Sequence, residues 1–289
     1  MSTPSRRQFL QTLTAGAAAL PLLARNASAE PAHKFPGVLG LELYSVRHLM
    51  DKDVPGTLKQ VQQWGFTDVE GGNWYGRSAA EFKTLIGQYG MRMQSMLTGY
   101  ETLRDKPATA IADAKAVGAS YLGTAWIPHK GNFTREVADE AVTNFTRWGK
   151  ALKDEGLQFH YHVHGYEFQP SADGTLLDTI IKNTPPEVQF QMDVFWVMRG
   201  GGNPEALLTK YPGRFALMHI KDIAKGTQLG DPTGSAPDET SVAIGKGQVN
   251  WPALLALAPK AGVKLFYIED EHPHAEAQMA DSLKYLGTV

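Results

Sequence analysis

Short runs of β-branched, aromatic and aliphatic residues alternate with amphipathic stretches along this chain. The pattern predicts strands at 38–44, 66–70, 91–97, 121–125, 158–163, 188–192, 215–220 and 264–268. Helices are predicted between and after them, at 53–64, 78–89, 105–117, 134–154, 174–182, 203–210, 251–258 and 275–286. Several helices run into a glycine that leads straight to the next strand: Gly65, Gly90, Gly118, Gly156 and Gly262. Glycine accepts the left-handed conformation that ends a helix without a Cβ clash. Strand–helix alternation at this spacing argues for βαβ units and a parallel sheet. Eight such units in about 250 residues suit a single-domain α/β fold, the closed (β/α)8 TIM barrel, with apolar strand residues filling its inner layers. An open doubly wound sheet would carry a glycine-rich phosphate loop after its first strand, and Leu43-Tyr44-Ser45-Val46-Arg47 has none. The least regular stretch, 222–250, is rich in glycine and proline. It reads as a long loop at the C-terminal end of the seventh strand, the face where barrel active sites sit.

The first residues follow a different rule. Ser5-Arg6-Arg7-Gln8-Phe9-Leu10 precedes an apolar, small-residue run from Leu13 to Ala24, and Ala27-Ser28-Ala29 supplies a cleavage site. This is the pattern of a twin-arginine export signal at 1–29, with the barrel at 30–289 and a periplasmic location. The apolar run is too short to span a bilayer of about 30 Å, so no stable membrane anchor is expected. Loss of the leader removes three positive charges and no negative ones, taking the net charge from −2 to −5. With no long basic run left, a nucleic-acid partner is not expected. The chain has no cysteine, so stability must come from packing, with a bound metal as the other source, rather than from disulfides.

Acids and histidines gather where the predicted strands end. Glu42 lies on the first strand and Glu70 ends the second. The fifth runs into His160-Tyr161-His162-Val163-His164-Gly165-Tyr166-Glu167, the sixth into Asp193, and the seventh into His219, Lys221 and Asp222. Glu269, Asp270 and Glu271 follow the eighth. His160, His162 and His164 share strand parity and so one face. Carboxylates and a histidine from adjacent strands make a mixed oxygen and nitrogen site for one divalent ion: manganese, cobalt, magnesium or zinc. Read one at a time, the same groups are salt-bridged polar residues of a barrel rim. Tyr44, Trp74, Tyr75, Trp126, Phe195 and Trp196 also follow strand ends, either as packing or as a wall for the C–H face of a sugar.

Leu41–Arg47, Tyr161–Phe168, Met192–Val197, His219–Asp222 and Tyr267–Glu271 together resemble the sugar phosphate isomerase/epimerase family, the xylose isomerase-like TIM barrels. The resemblance covers nearly all of 38–287 and implies metal ligands from strands five to eight, which are Glu167, Asp193, His219 and Glu269 here. Within strand five the ligand place is also close to His162, and that assignment stays open. The resemblance further implies catalytic roles among His162, Glu167, Glu269 and Lys221, and substrate contacts from Glu42, Glu70, Trp126, His164 and Trp196. The expected reaction is proton abstraction beside the carbonyl of a sugar or keto-sugar, through a metal-stabilised enediolate. Isomerisation or epimerisation is the leading outcome, and elimination by a 3-keto-glycoside lyase or hydratase is the alternative. A hydrolytic metalloenzyme resembling endonuclease IV would need more ligands and a basic groove. A sugar-binding protein without catalysis is the remaining class, and a homo-oligomer is compatible with all of these.

Overall fold

The computed structural model describes residues 35–172 and 174–289, and the expected export signal at 1–29 lies outside the described residues. Eight strands form one closed barrel: β1 (Val38–Glu42), β2 (Asp68–Gly71), β3 (Arg92–Leu97), β4 (Tyr121–Thr124), β5 (Gln158–His162), β6 (Val188–Asp193), β7 (Phe215–Ile220) and β8 (Leu265–Ile268). Each pairs in parallel with its sequence neighbours, and β8 closes on β1. The (β/α)8 expectation is met.

Outer helices alternate with the strands: α1 (Val54–Gln63), α2 (Ala79–Gln88), α3 (Pro107–Val117), α4 (Arg135–Asp154), α5 (Leu176–Asn183), α6 (Pro204–Lys210), α7 (Trp251–Leu257) and α8 (Ala275–Leu286). Local chemistry starts several of them. Ser78 Oγ accepts from the Glu81 amide (3.3 Å) while the Glu81 carboxylate accepts from the Ser78 amide (2.8 Å), a reciprocal cap that starts α2. Thr175 and Asp178 repeat the device at α5. The helix expected over 105–117 runs over Pro107–Val117, and a separate short helix, Tyr100–Asp105, precedes it. Proline disfavours helical geometry in the residue before it and is well suited to start a helix. No helix among the described residues is long and apolar enough to cross a membrane.

Apolar strand residues fill only part of the barrel interior: Leu217, Leu265 and Tyr267 form a buried cluster of their own with Val38 and Tyr121 packed against it, on the inward parity of their strands. Leu41, Val69, Met93, Leu122, Phe159, Phe190, Met218 and Phe266 are buried in the main core with the helices. Buried polar groups occupy the rest of the interior. Near its base Asp68 accepts from Tyr267 Oη (2.9 Å), Arg92 Nε (2.9 Å) and Gln94 Nε2 (2.8 Å). Large rings fit there because glycines face them. A Cβ on Gly40 would lie 2.6 Å from the Tyr267 ring, and one on Gly123 would lie 2.5 Å from the His160 ring. A bulge helps as well. Register passes from Val69↔Met93 to Glu70↔Ser95, so Gln94 and Ser95 both turn inward, to Asp68 and Glu70.

Candidate metal centre

Parallel register places the site. Asp193 on β6 pairs with His219 on β7, His219 pairs with Tyr267 on β8, and Glu269 follows two residues later. His162 ends β5 beside β6. The side chains of His162, Asp193, His219 and Glu269 are all buried, and each offers a donor atom within 4.8 Å of the others. His219 Nδ1 is 3.0 Å from Glu269 Oε2 and 3.8 Å from Asp193 Oδ2, and His162 Nε2 is 4.0 Å from that same oxygen. Donors about 2.1 Å from a tetrahedral cation would stand about 3.4 Å apart, so the spacing is close to that of a formed site.

Asp193 gives the test of fit. Its Oδ1 accepts from the Trp196 amide (2.7 Å), capping the short helix Val194–Arg199. Its Oδ2 is buried, has no hydrogen-bond partner, and faces the two imidazoles. A buried carboxylate oxygen without a donor is costly, and a cation at this point would satisfy it.

Glu70 decides which nitrogens face that point. Charge and hydrogen bonding from His219 keep the Glu70 carboxyl below its ordinary range although burial pushes it up, so it is ionised and can only accept. It accepts from Ser95 Oγ, from His219 Nε2, and through both oxygens from Gln191 Nε2 (2.9 Å each). Nε2 of His219 therefore keeps its proton, and Nδ1, toward Asp193 and Glu269, is the nitrogen at which a cation could replace the second proton. With its amide nitrogen directed at Glu70, Gln191 presents Oε1 to His162 Nδ1 (3.2 Å). Nδ1 must donate, and the His162 lone pair lies on Nε2, the atom that faces Asp193. One carboxylate thus sets the tautomer of both histidines, the first directly and the second through an amide.

The charges follow from these contacts. Burial, reinforced by His219, lowers the pKa of His162. Burial also opposes protonation of His219, yet Glu269 and Glu70 on either side hold its pKa well above the ordinary value. A proton and a divalent ion therefore compete for His219 Nδ1. Burial alone would keep Glu269 neutral, but Lys221 and His219 hold it well below the carboxylate range. Lys221 is itself completely buried. Its Nζ lies 2.8 Å from Glu271 Oε1 and 3.6 Å from Glu269 Oε2, and about 5 Å from the rings of Phe195 and Trp196.

Above the ligands opens a cavity of about 460 Å³, walled by Glu42, His164, Trp196, Glu271 and the loop segment 234–236, among others. Glu42 Oε1 accepts from the Tyr44 amide (3.3 Å), while Oε2 is buried and unpartnered. Burial and the nearby Glu70 carboxylate push the Glu42 pKa well above its ordinary value. His164 lies past the end of β5, its ring stacked on Trp196 at 4.4 Å. One buried carboxylate ties together the two ends of the long loop after β7. Asp222 accepts from the amides of Ile223 (2.9 Å), Gly245 (2.8 Å), Gly247 (3.1 Å) and Val249 (3.3 Å), and from Trp251 Nε1 (2.9 Å).

Three sequence assignments change. Glu167 is fully buried but stands outside the four-donor cluster. The turn through Gly165 (φ +89°) directs its Oε1 to Tyr161 Oη and the His164 amide (3.0 Å). Burial raises its pKa to about 7. Glu70 does not line the cavity; it lies beneath the histidines as their hydrogen-bond acceptor. Trp126 stands at the rim, stacked on His129 at 5.1 Å and edge-on to His164. Gln191 escaped sequence reasoning altogether. Its signal was parity, two residues before Asp193 on one strand and hence on the same face.

Comparison with known proteins comes from three directions. A family model described as "Xylose isomerase-like TIM barrel" matches residues 58–289. An inosose dehydratase from Bacillus cereus is 31% identical over 111 residues, which is 37% of this chain and 36% of that protein. The chain thus spans little more than a third of that relative's length in the match. A solved sugar phosphate isomerase/epimerase from Parabacteroides distasonis aligns with a TM-score of 0.71 at 22% identity, over 90% of this chain and 99% of that one. The structure of the IOLI protein with a bound zinc atom aligns with a TM-score of 0.67 at 15% identity, over 87% and 96%. At these identities the solved structures speak for the fold alone.

Proposed function

The chain belongs to the xylose isomerase-like TIM barrel family, and from that premise we propose a metal-dependent enzyme that removes a proton beside the carbonyl of a sugar or keto-sugar. The observation that carries this reading is the unpartnered Asp193 Oδ2 facing His162 Nε2 and His219 Nδ1, with Glu269 completing the donors. Two imidazoles with two carboxylates favour zinc, cobalt or manganese over magnesium, which prefers oxygen ligands. When bound, such an ion supplies Lewis acidity that polarises a carbonyl and eases negative charge on its oxygen.

The other groups are the chain's own. Glu42 Oε2 is a carboxylate oxygen in the cavity wall without a hydrogen-bond partner, and the burial and Glu70 charge that raise its pKa make its ionised form a stronger acceptor for a carbon-bound proton. The Lys221 ammonium, fully buried and outside the cavity lining, is the counter-charge that positions Glu269 and Glu271. The stacked His164 and Trp196 rings give the C–H face of a sugar an apolar wall. Returning the proton gives isomerisation or epimerisation. Expelling a β-substituent gives elimination, a second reading favoured by the partial likeness to an inosose dehydratase.

Incubating metal-reconstituted protein with keto-sugars and simple sugars in D₂O, followed by NMR, tests this. Deuterium uptake beside the carbonyl is expected. A metal-loaded protein that binds sugar and exchanges no proton is a sugar-binding protein instead. The location remains a proposal resting on Arg6-Arg7 and Ala27-Ser28-Ala29. Lysine at both arginines should trap the precursor in the cytoplasm, and unimpaired export of that variant would reject the twin-arginine route.

A further inference from the structure

Glu167 stands outside the four metal donors and is fully buried, and so are Tyr161 and Tyr166 beside it. Polar side chains gathered in an apolar region cost free energy unless they satisfy one another. Here they do so in one direction. The Ile127 amide donates to Tyr166 Oη (2.8 Å), Tyr166 Oη meets Tyr161 Oη (2.8 Å), and the Tyr161 hydroxyl donates to Glu167 Oε1. Each tyrosine has one proton to give. That of Tyr161 goes to Glu167, so that of Tyr166 goes to Tyr161. The same Oε1 accepts the His164 amide (3.0 Å). The backbone at Ile127 and the backbone at His164 are thus joined by one line of hydrogen bonds that meets on a single oxygen.

Three walls of the cavity stand on this line. Ala125, two residues before Ile127, faces the cavity, and so does His164. Gly234, in the loop after β7, also lines it and packs on the Tyr166 ring, where a Cβ would fall 2.7 Å from Cδ1. Trp126 sets its ring edge-on to Tyr166 at 4.8 Å and to His164 at 5.2 Å. Segments after β4, β5 and β7 therefore meet around the two tyrosines. The turn that carries the chain from His164 to Glu167 has little freedom. Gly165 has φ +89°, and a Cβ on it would fall 2.6 Å from the Trp196 carbonyl oxygen.

Phenylalanine at both tyrosines and an apolar residue at 167 would fill the same space with no polar group to desolvate. The polar line answers a need other than packing, and the backbone atoms at its ends say which. We propose that Glu167 is a positioning residue: through Tyr161 and Tyr166 it places the β4, β5 and β7 segments that wall the cavity, while touching no metal ligand itself. The working part is an acceptor rather than a charge. Oε2 has no partner, so a proton taken up by the carboxyl sits there and leaves Oε1 accepting. Glutamine offers its carbonyl oxygen in the same place, and methionine, of similar length, offers none. Whatever reaction proceeds in the cavity, its walls need this acceptor.

Amide hydrogen exchange and metal affinity, both measured on the full chain, test this. In Glu167→Met the His164 and Ile127 amides should each exchange at least about tenfold faster than in wild type. Glu167→Gln should restore both. Tyr166→Phe should release Ile127 and leave His164 protected. In protein labelled with 5-fluorotryptophan, the Trp126 and Trp196 resonances, assigned by phenylalanine substitution, should move in Glu167→Met and return in Glu167→Gln. Metal affinity should hold in all three variants. An Ile127 amide that stays protected in Glu167→Met, or a Glu167→Gln protein that behaves like Glu167→Met, overturns the proposal. So does metal affinity that falls together with protection, because Glu167 would then act on the donors. Should Glu167→Met misfold, Tyr166→Phe decides: faster exchange at Ile127 alone upholds the line, and unchanged exchange there rejects it.

Discussion

Glu70 accepts the Nε2 proton of His219 on the side of the imidazole turned away from Asp193 and Glu269, and so fixes which nitrogen those carboxylates meet. Through Gln191 it does the same for His162. Glu70→Gln replaces an acceptor that serves three donors with an amide that must turn its own N–H groups on one of them. Metal affinity should fall by about 10- to 100-fold, the usual effect of losing an outer hydrogen-bond partner. Gln191→Leu disturbs only the His162 arm and should weaken binding less. Chelator competition gives both constants, and a Glu70→Gln protein with unchanged affinity would reject the coupling.

Strand five offers a direct contrast. His162→Asn should lose metal more severely than either of those variants, since it removes a donor outright. Glu167→Gln should keep it, because its carboxylate is engaged by Tyr161 and the His164 amide outside the cluster. Elemental analysis after desalting decides. Metal lost from the Glu167 variant and kept by the His162 variant would restore the assignment first read from the sequence.

Glu167 also has a signature in stability. Its folded pKa of about 7 lies above the ordinary 4.5, chiefly through burial. Between those values the folded chain holds a proton that the unfolded chain releases, so stability falls as pH rises through this window and levels off above it. The full effect is roughly 3 kcal/mol from the size of the shift. Urea denaturation at pH 5 and pH 8 should show a smaller difference for Glu167→Gln than for wild type. Parallel behaviour of the two proteins would contradict the raised pKa.

Lys221→Met removes the counter-charge beside Glu269 and Glu271, should raise the Glu269 pKa, and should slow C–H exchange by about tenfold, the worth of roughly one pKa unit. The pH profile of exchange should shift with it. A variant with normal kcat and an unshifted pH profile would show that neither carboxylate depends on Lys221.

The barrel was legible because strand and helix periods alternate cleanly and glycines mark the helix ends. That Asp193, His219 and Glu269 gather at one place was legible because each stands at or just past a strand terminus, where parallel register makes neighbours of residues far apart in sequence. Strand five resisted for a local reason. The turn at Gly165 sends Glu167 away from the metal ligands, and nothing in the order of residues announces the direction of a turn. Glu70 was read as a substrate contact because its depth in the barrel depends on strand stagger, which a linear pattern does not carry. The polar interior was hidden for a similar reason. Alternation gives two faces to a strand, and only closure says which of them lies inside.

Asp222 follows Lys221 directly and anchors both ends of the irregular segment, at Ile223 and at Gly245 through Val249. Residues 224–240 lie between the two clamp points, and 234–236 form part of the cavity wall. Between the clamp points the segment is held from outside by Arg199, at Gln228, Asp231 and Ser235, and by Gln169 at Pro232. None of these anchors belongs to the four-donor cluster, so the wall and the cluster are held by separate sets of contacts.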